Sequence, residues 1–247
     1  MKRTLLFLGL MLCASPAFAS FTLVNSCGSS LNGADTTRTC NIASVNAHDL
    51  VVIATSHAGA ETRTCSDTAS TFVNGTDNNS IGSNHLQFCY SLDSAASGTV
   101  TYTATWSAST VVPSIAVYVF RPTATPARDV QDATGNGAAS TAVASGNITT
   151  TGADELVFGA AVSENAKTYS SPLIFGAAAT GAASFGEGGG GASISIWYKA
   201  ATGTTNASAT ISASDTWLAN AISFKIAGVS VKARRTISPR VGSRSIR

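Results

Sequence analysis

Three histidines, His48, His57 and His85, supply every imidazole in the 247-residue chain, and all three fall in its first half. A histidine-based catalytic triad would have to be built from that half alone. His48 stands beside Asp49, but neighbouring residues in or near a strand point to opposite faces, so the pair is better explained as a turn histidine followed by a turn-forming aspartate. The chain has no Gly-x-Ser-x-Gly elbow, no His-Glu-x-x-His and no Cys-x-x-Cys. Its nearest approach to a calcium loop, Asp77-Asn78-Asn79-Ser80, lacks the glycine and terminal glutamate such a loop needs. Glycoside hydrolysis demands only two carboxylates, and of the 13 acids Glu164 and Glu187 are the least tied to turns. Both sit in loop-like segments, where solvation is the simpler role. Gly188-Gly189-Gly190-Gly191 is followed by neither the helix nor the lysine of a phosphate cradle. No catalytic residue, metal ligand or cofactor is assigned, and enzymatic activity is not expected.

Binding requires less. Sugar C–H faces stack on aromatic rings without any nucleophile or metal. Trp106 alternates with Val100, Tyr102 and Ala104, which makes it a core residue. Trp197 differs: Ile194, Ile196 and Tyr198 share one face of its segment and leave Trp197 on the other with Ser193 and Ser195. Trp217 follows Ser214-Asp215-Thr216 at a strand entrance, and Tyr169 lies in a polar stretch. Trp197, Trp217 and Tyr169 are therefore the candidate ligand-binding residues, with a glycan as the expected partner.

The address is written at the start. Met1-Lys2-Arg3, an apolar run to Cys13 and Ala17-Phe18-Ala19 form a secretory signal over residues 1–19, too short for a membrane span. Its removal leaves Cys27, Cys40, Cys65 and Cys89, an even set in an oxidising compartment. Two disulfides follow, and no pair has zinc-ligand spacing. Three pairings are open; Cys27 with Cys40 and Cys65 with Cys89 is preferred because each pair would join neighbouring strands. Of 15 basic residues, Lys2 and Arg3 leave with the signal. Lys232, Arg234, Arg235, Arg240, Arg244 and Arg247 crowd the last 16 positions, so the body keeps seven against 13 acids. An acidic body with a basic tail (229–247) results, and the tail is expected to be disordered and able to hold an anionic cell-surface polymer. Nucleic acid is not an expected partner.

The elements that must position these residues are strands. From Ser20 onward there are 30 threonines but only eight leucines, four glutamates and four lysines, which excludes a helical bundle. Thr99 to Trp106 alternates strictly between a wet threonine face and an apolar face, whereas Ser114 to Phe120 is apolar on both and must be central. Further strands are expected at 21–25, 50–54, 86–92, 156–162, 193–199, 207–212 and 221–226. The 176–191 segment is expected to be a mobile loop. Pro122 and Pro126 mark the join at 121–151, across which Val130, Val143 and Ile148 are strapped.

The chain also repeats itself. Asp49 matches Asp154, Tyr90 matches Tyr198, Trp106 matches Ile211 and Ala116 matches Ala221, at spacings of 105 to 108 residues. The halves run from about 49 to 120 and from 154 to 226. The second half has no cysteine and little large apolar surface, so a single domain over 20–228 is favoured over two tandem ones. In order, Asp49-Leu50-Val51-Val52, Cys65-Ser66-Asp67-Thr68-Ala69-Ser70, Gln87-Phe88-Cys89-Tyr90, Gly98-Thr99-Val100-Thr101 and Ala153-Asp154-Glu155-Leu156-Val157-Phe158-Gly159 resemble the strand and turn patterns of a loose group of secreted bacterial sandwich proteins. That resemblance implies a jelly-roll, lectin-like shape and secretion, and no activity. The expectation is an all-β protein: one β-sandwich of about ten strands in two similar halves, secreted, non-catalytic and presenting a binding surface. A secreted carbohydrate-active hydrolase and a structural envelope or matrix component are the alternatives.

Overall fold

The computed structural model describes residues 20–79, 83–152, 155–186 and 193–227. The signal segment, the basic tail with Lys232, Arg234, Arg235, Arg240, Arg244 and Arg247, and the expectations placed on Asp154, Glu187 and Gly188 to Gly191 lie outside the described residues. Within them the chain is all β, with no helix. The strands are β1 (Phe21–Ser30), β2 (Ala34–Val45), β3 (Leu50–Ala58), β4 (Arg63–Ser66), β5 (Val73–Asn74), β6 (Asn84–Ser91), β7 (Gly98–Pro122) and β8 (Pro126–Ala144). They continue as β9 (Ile148–Thr149), β10 (Glu155–Ser163), β11 (Tyr169–Ile174), β12 (Ala177–Ala178), β13 (Gly181–Gly186), β14 (Ser193–Ala201), β15 (Thr204–Thr205) and β16 (Ala207–Ile226).

Two seven-stranded antiparallel sheets result, each drawn from one half of the chain, with β9 and β15 forming a separate two-stranded one. The first runs β1-β7-β3-β6-β5 with β2 and β4 also on β7; the second runs β12-β11-β16-β10-β14-β13 with β8 also on β16. The two runs expected around Trp106 and Phe120 form one continuous strand, β7. Its first part pairs with β2 and β4 and its last part with β1 and β3. β16 likewise unites 207–212 with 221–226, held first by β11 and then by β10, with β8 along its other side. Alternation along β7 behaves as expected: Val100, Tyr102, Ala104 and Trp106 are buried while Thr99 and Thr101 are exposed.

Several segments are more regular than their composition indicates. The join holds β8 and β9, with Val143 and Ile148 buried. The expected 176–191 loop contains β12 and β13. β2 escapes the pattern because its buried positions Cys40 and Ile42 keep period two only until a register shift before Val45. The disulfides join Cys27 with Cys40 and Cys65 with Cys89. The first links β1 to β2, and the second links β4 to β6 across the interior of the first half.

Three apolar clusters fill the molecule. Val51, Ile53, Val117 and Val119 meet Ile42, Val100, Tyr102 and Trp106 inside the curled first sheet. Val157, Ala161, Trp197, Ala207 and Ala219 do the same in the second. The third cluster belongs to both halves, joining Leu50, Val52, Tyr118 and Phe120 to Leu156, Phe158, Ile222 and Phe224. Its rings pack edge to face, with Phe120 4.8 Å from Tyr198 and Tyr90 5.4 Å from Phe224 between centroids. Asn78 adds a buried polar tie, its Nδ2 donating to Gly135 O, Ala219 O and Asn220 Oδ1, while Asn220 Nδ2 donates to Leu86 O.

Pairing also defines how the halves correspond. Val52 stands between Tyr118 and Tyr90, and Phe158 stands between Ile222 and Tyr198. All six face the shared cluster. The offsets are thus 106 for β3 and β10, 104 for β7 and β16, and 108 for β6 and β14. The sequence match Tyr90 to Tyr198 survives, but Asp49 corresponds to Glu155 rather than Asp154, and Ala116 to Asn220 rather than Ala221. A uniform shift of 105 would put core residues on the wrong face, since one residue of slip inverts a strand.

Candidate functional site

The three expected aromatic binders do not form a surface. Trp197 is 0% exposed and Trp217 6%. Trp197 corresponds to Cys89 of the first half, because Gly159 lies opposite it as Ile53 lies opposite Cys89. Where the Cys65–Cys89 disulfide ties β4 to β6, the Trp197 indole ties β14 to β11 by donating from Nε1 to Leu173 O at 3.2 Å. Gly159 makes this possible: a Cβ there would lie 2.6 Å from the indole and 2.5 Å from Ala207 Cβ. Trp217 likewise lies over Gly137 of β8, where a Cβ would come within 2.3 Å. Tyr169 opens β11 and donates its hydroxyl to Ser193 O at 3.1 Å.

The titratable groups gather elsewhere. β3 and β6 place His57 opposite His85, and their rings stack at 4.6 Å with 18° between planes. Arg63, the first residue of β4, places Nη1 3.4 Å from His57 Nδ1 and Nη2 2.8 Å from Asp77 Oδ1. The other Asp77 oxygen lies 2.7 Å from His85 Nδ1. Asp77 is positioned by its neighbour Asn78, whose main chain exchanges hydrogen bonds with Leu86 and whose side chain is anchored in the second half. His57 Nε2 lies 3.1 Å from the Glu61 carbonyl, so it donates there and leaves Nδ1 to accept from Arg63.

The electrostatics follow from burial. His57 is lowered to about 4, first by desolvation and then by the Arg63 and His85 charges. It stays neutral. Arg63 is lowered by burial and held charged by Asp77. Burial pushes Asp77 up, but Arg63 and then His85 outweigh it and bring it below the usual carboxylate range. Arg63 Nε is buried without a partner.

Beside this cluster is a recess of about 340 Å³ lined by Glu61, Thr62, Arg63, Asn74, Asn79, Asp77, His85 and Gln87, with Ala60 at its edge. It offers a guanidinium, an imidazole, two carboxylates and three amide side chains that both donate and accept. No group of three His, Cys, Asp or Glu among the described residues could hold a metal ion. A smaller recess of about 200 Å³, near His48 and Asp93, is lined mainly by Leu92, Pro122, Ala124, Thr125 and Pro126. Its His48–Asp93 pair is largely exposed, at 84% and 72%, and well solvated. As expected, His48 and Asp49 point apart: Asp49 is buried against Arg121.

The second half shows what this position requires structurally. By the pairing correspondence His57 and His85 become Ser163 and Ser193; Arg63, opposite Trp106, becomes Tyr169, opposite Ile211, since Trp106 and Ile211 are both buried and the offset is 105 ahead of the register shifts in β7 and β16. There Ser163 Oγ and Ser193 Oγ lie 3.0 Å apart, Ser163 donates to Asn165 O and Ser193 to Lys167 O. Hydroxyls and a looser ion pair, Lys167 Nζ to Asp215 Oδ2 at 3.7 Å, thus close the same corner without a buried guanidinium or a stacked histidine pair. From the sequence, His57, His85 and Asp77 are weighed for a triad or a calcium loop and given no role, and Arg63 is not singled out; the usable signal is three charged or titratable residues at positions where the repeat has serine and tyrosine. Comparison with protein families, with characterised proteins and with solved structures finds no match. Among the described residues no helix is long and apolar enough to cross a membrane.

Proposed function

We propose that this protein is a secreted, non-catalytic β-sandwich of jelly-roll, lectin-like kind whose first half binds a polyhydroxylated ligand, a glycan, in the recess around Arg63, Asp77 and His85. The observation that carries this reading is the contrast between halves. The same corner is closed by Ser163, Ser193, Tyr169 and the Lys167–Asp215 pair in one half, and in the other by buried Arg63 and His57 with the more exposed Asp77 and His85, beside a polar recess. The second half closes the corner without a buried guanidinium or paired imidazoles, so the fold itself does not require Arg63 there, and burying that charge is costly unless it is fully paired. Vicinal hydroxyls suit this lining, because carboxylate and amide groups each meet an OH as acceptor or donor. The leader and the two disulfides support an extracellular setting. The basic tail then serves as a tether to anionic surface polymer, which removal of residues 232–247 would abolish at low salt.

The test is to graft the second-half set onto the first. The triple variant His57→Ser, His85→Ser, Arg63→Tyr should fold and lose glycan binding measured by calorimetry or on arrays, while Asp77→Asn alone should weaken it by about tenfold, the value of one charged hydrogen bond. Undiminished binding by a folded triple variant refutes the site. Turnover of the glycan would instead identify a hydrolase.

A further inference from the structure

The second half has its own cluster, at the opposite end of its sheet. Lys225 of β16 stands between β8, where it pairs opposite Ala127, and β10, one residue beyond the pair Leu156 with Phe224. Its Nζ lies 2.5 Å from Asp129 Oδ1 and 2.6 Å from Thr151 Oγ1. Thr151 also donates from its backbone N to Asp129 Oδ2 at 2.7 Å and from its hydroxyl to Oδ1 at 2.5 Å. The Asp129 side chain is only 3% exposed and that of Lys225 34%. Glu155, on the third strand, is fully buried. Its Oε1 accepts from Gly152 N, and its Oε2 has no donor.

The first half provides an internal control. Asp49 and Arg121 occupy the positions of Glu155 and Lys225, and there the guanidinium takes both carboxylate oxygens, Nε to Oδ1 at 3.0 Å and Nη2 to Oδ2 at 3.1 Å. One acid and one fork suffice. In the second half a primary amine replaces the fork, and a second carboxyl, Asp129, claims it. Glu155 is left beside an acid with no cation of its own. A charge pair alone does not call for that extra buried carboxyl, whereas amide formation between Lys225 and Asp129 does.

We propose that Lys225 and Asp129 condense into an intramolecular amide, with Glu155 as the proton relay. The ammonium passes a proton to the Asp129 carboxylate within the pair, giving a neutral amine and a carboxylic acid. Nζ attacks Asp129 Cγ, the C–N bond forms, and one carboxyl oxygen becomes a hydroxyl as Glu155 lends a proton and recovers another from the amine. The hydroxyl leaves as water, so one –NH₃⁺ and one –COO⁻ become –NH–CO– and H₂O with no oxidant or reductant. Burial, and then the neighbouring Asp129 carboxyl, raise Glu155 against the hydrogen bonds from Gly152 and Ser223, the direction a proton relay needs. Against burial, Lys225 and Thr151 bring Asp129 down to about 2, which makes the ion pair the resting state and the proton transfer its first step. Holding amine and acid in contact supplies the effective concentration that free groups in water lack. The bond would join β8, in the segment between the halves, to β16, the strand that closes the second half.

The test is an intact-mass measurement on the full chain, reduced and denatured. One water fewer than the composition requires is expected, together with a branched tryptic peptide linking the Lys225 and Asp129 segments. Lys225→Arg keeps the charge pair but offers no amine, and its mass should be full. Glu155→Gln should leave unreacted chain as the main species while the fold, followed by circular dichroism, is retained. A full mass for the unsubstituted protein after prolonged incubation at neutral pH overturns the proposal, as does a deficit that persists in Lys225→Arg.

Discussion

His57 should make the stability of this protein pH-dependent in a calculable way. Its folded-state value is about 4 against an ordinary 6.5, so between those limits the unfolded chain binds a proton that the native one refuses. Stability therefore rises with pH across that window and falls as pH drops through it. The shift corresponds to at most about 3 kcal/mol at 1.36 kcal/mol per pH unit. His57 is buried, so solvent screening removes little of it, but relaxation around a protonated ring would. The groups that face it are Arg63 from β4, His85 from β6, Asp77, and the Glu61 carbonyl. His57→Gln keeps a donor for Glu61 and cannot ionise. Denaturant titrations from about pH 4 to about pH 7.5 on both proteins should show the variant gaining on the wild type as pH falls, by about 2 to 3 kcal/mol in all. The lost stacking on His85 shifts the whole curve and is not diagnostic. His85→Gln is the control: it removes the weakest of the three effects that lower His57 but leaves burial and Arg63, so most of the slope should remain. Parallel curves for wild type and His57→Gln would refute the argument that burial keeps this ring neutral.

Two further outcomes follow from the packing. Gly159→Ala should cost about 1 to 3 kcal/mol, because its methyl would overlap the Trp197 indole and Ala207. Gly33→Ala, whose Cβ meets only Leu31 at 3.7 Å, should leave the thermal midpoint almost unchanged, and equal effects would show that backbone entropy, not the clash, dominates. Trp197→Ala should destabilise by about 3 to 5 kcal/mol, as for a core tryptophan, and a variant that keeps its melting temperature would restore the idea of an exposed platform.

Some of this was written locally in the chain. The alternation from Thr99 to Trp106 depends only on the period-two geometry of a strand, so the burial of Val100, Tyr102 and Trp106 was legible without any partner. The cysteine pairs were legible as a preference among three, because short separations join neighbouring strands. The repeat was visible at 105 in three of its four matches and at 108 in the fourth, yet the offsets of 106 for β3 and β10 and 104 for the later part of β7 and β16 emerge only from which residues pair, and composition does not register a one-residue slip. Trp197 shows the same limit. Its polar flanks Ser193 and Ser195 mark a face distinct from Ile194 and Ile196, but that face is covered by β11, a strand whose presence polar Ser170 and Ser171 conceal. The recess is the extreme case. Arg63, Asp77 and His85 sit on different strands and loops and touch only because His57 lies opposite His85 and Asn78 is fastened to Asn220 across the molecule. Period and composition act over a few residues, whereas the positions of these groups depend on strand register and on the shared core, which exist only when the whole chain is assembled.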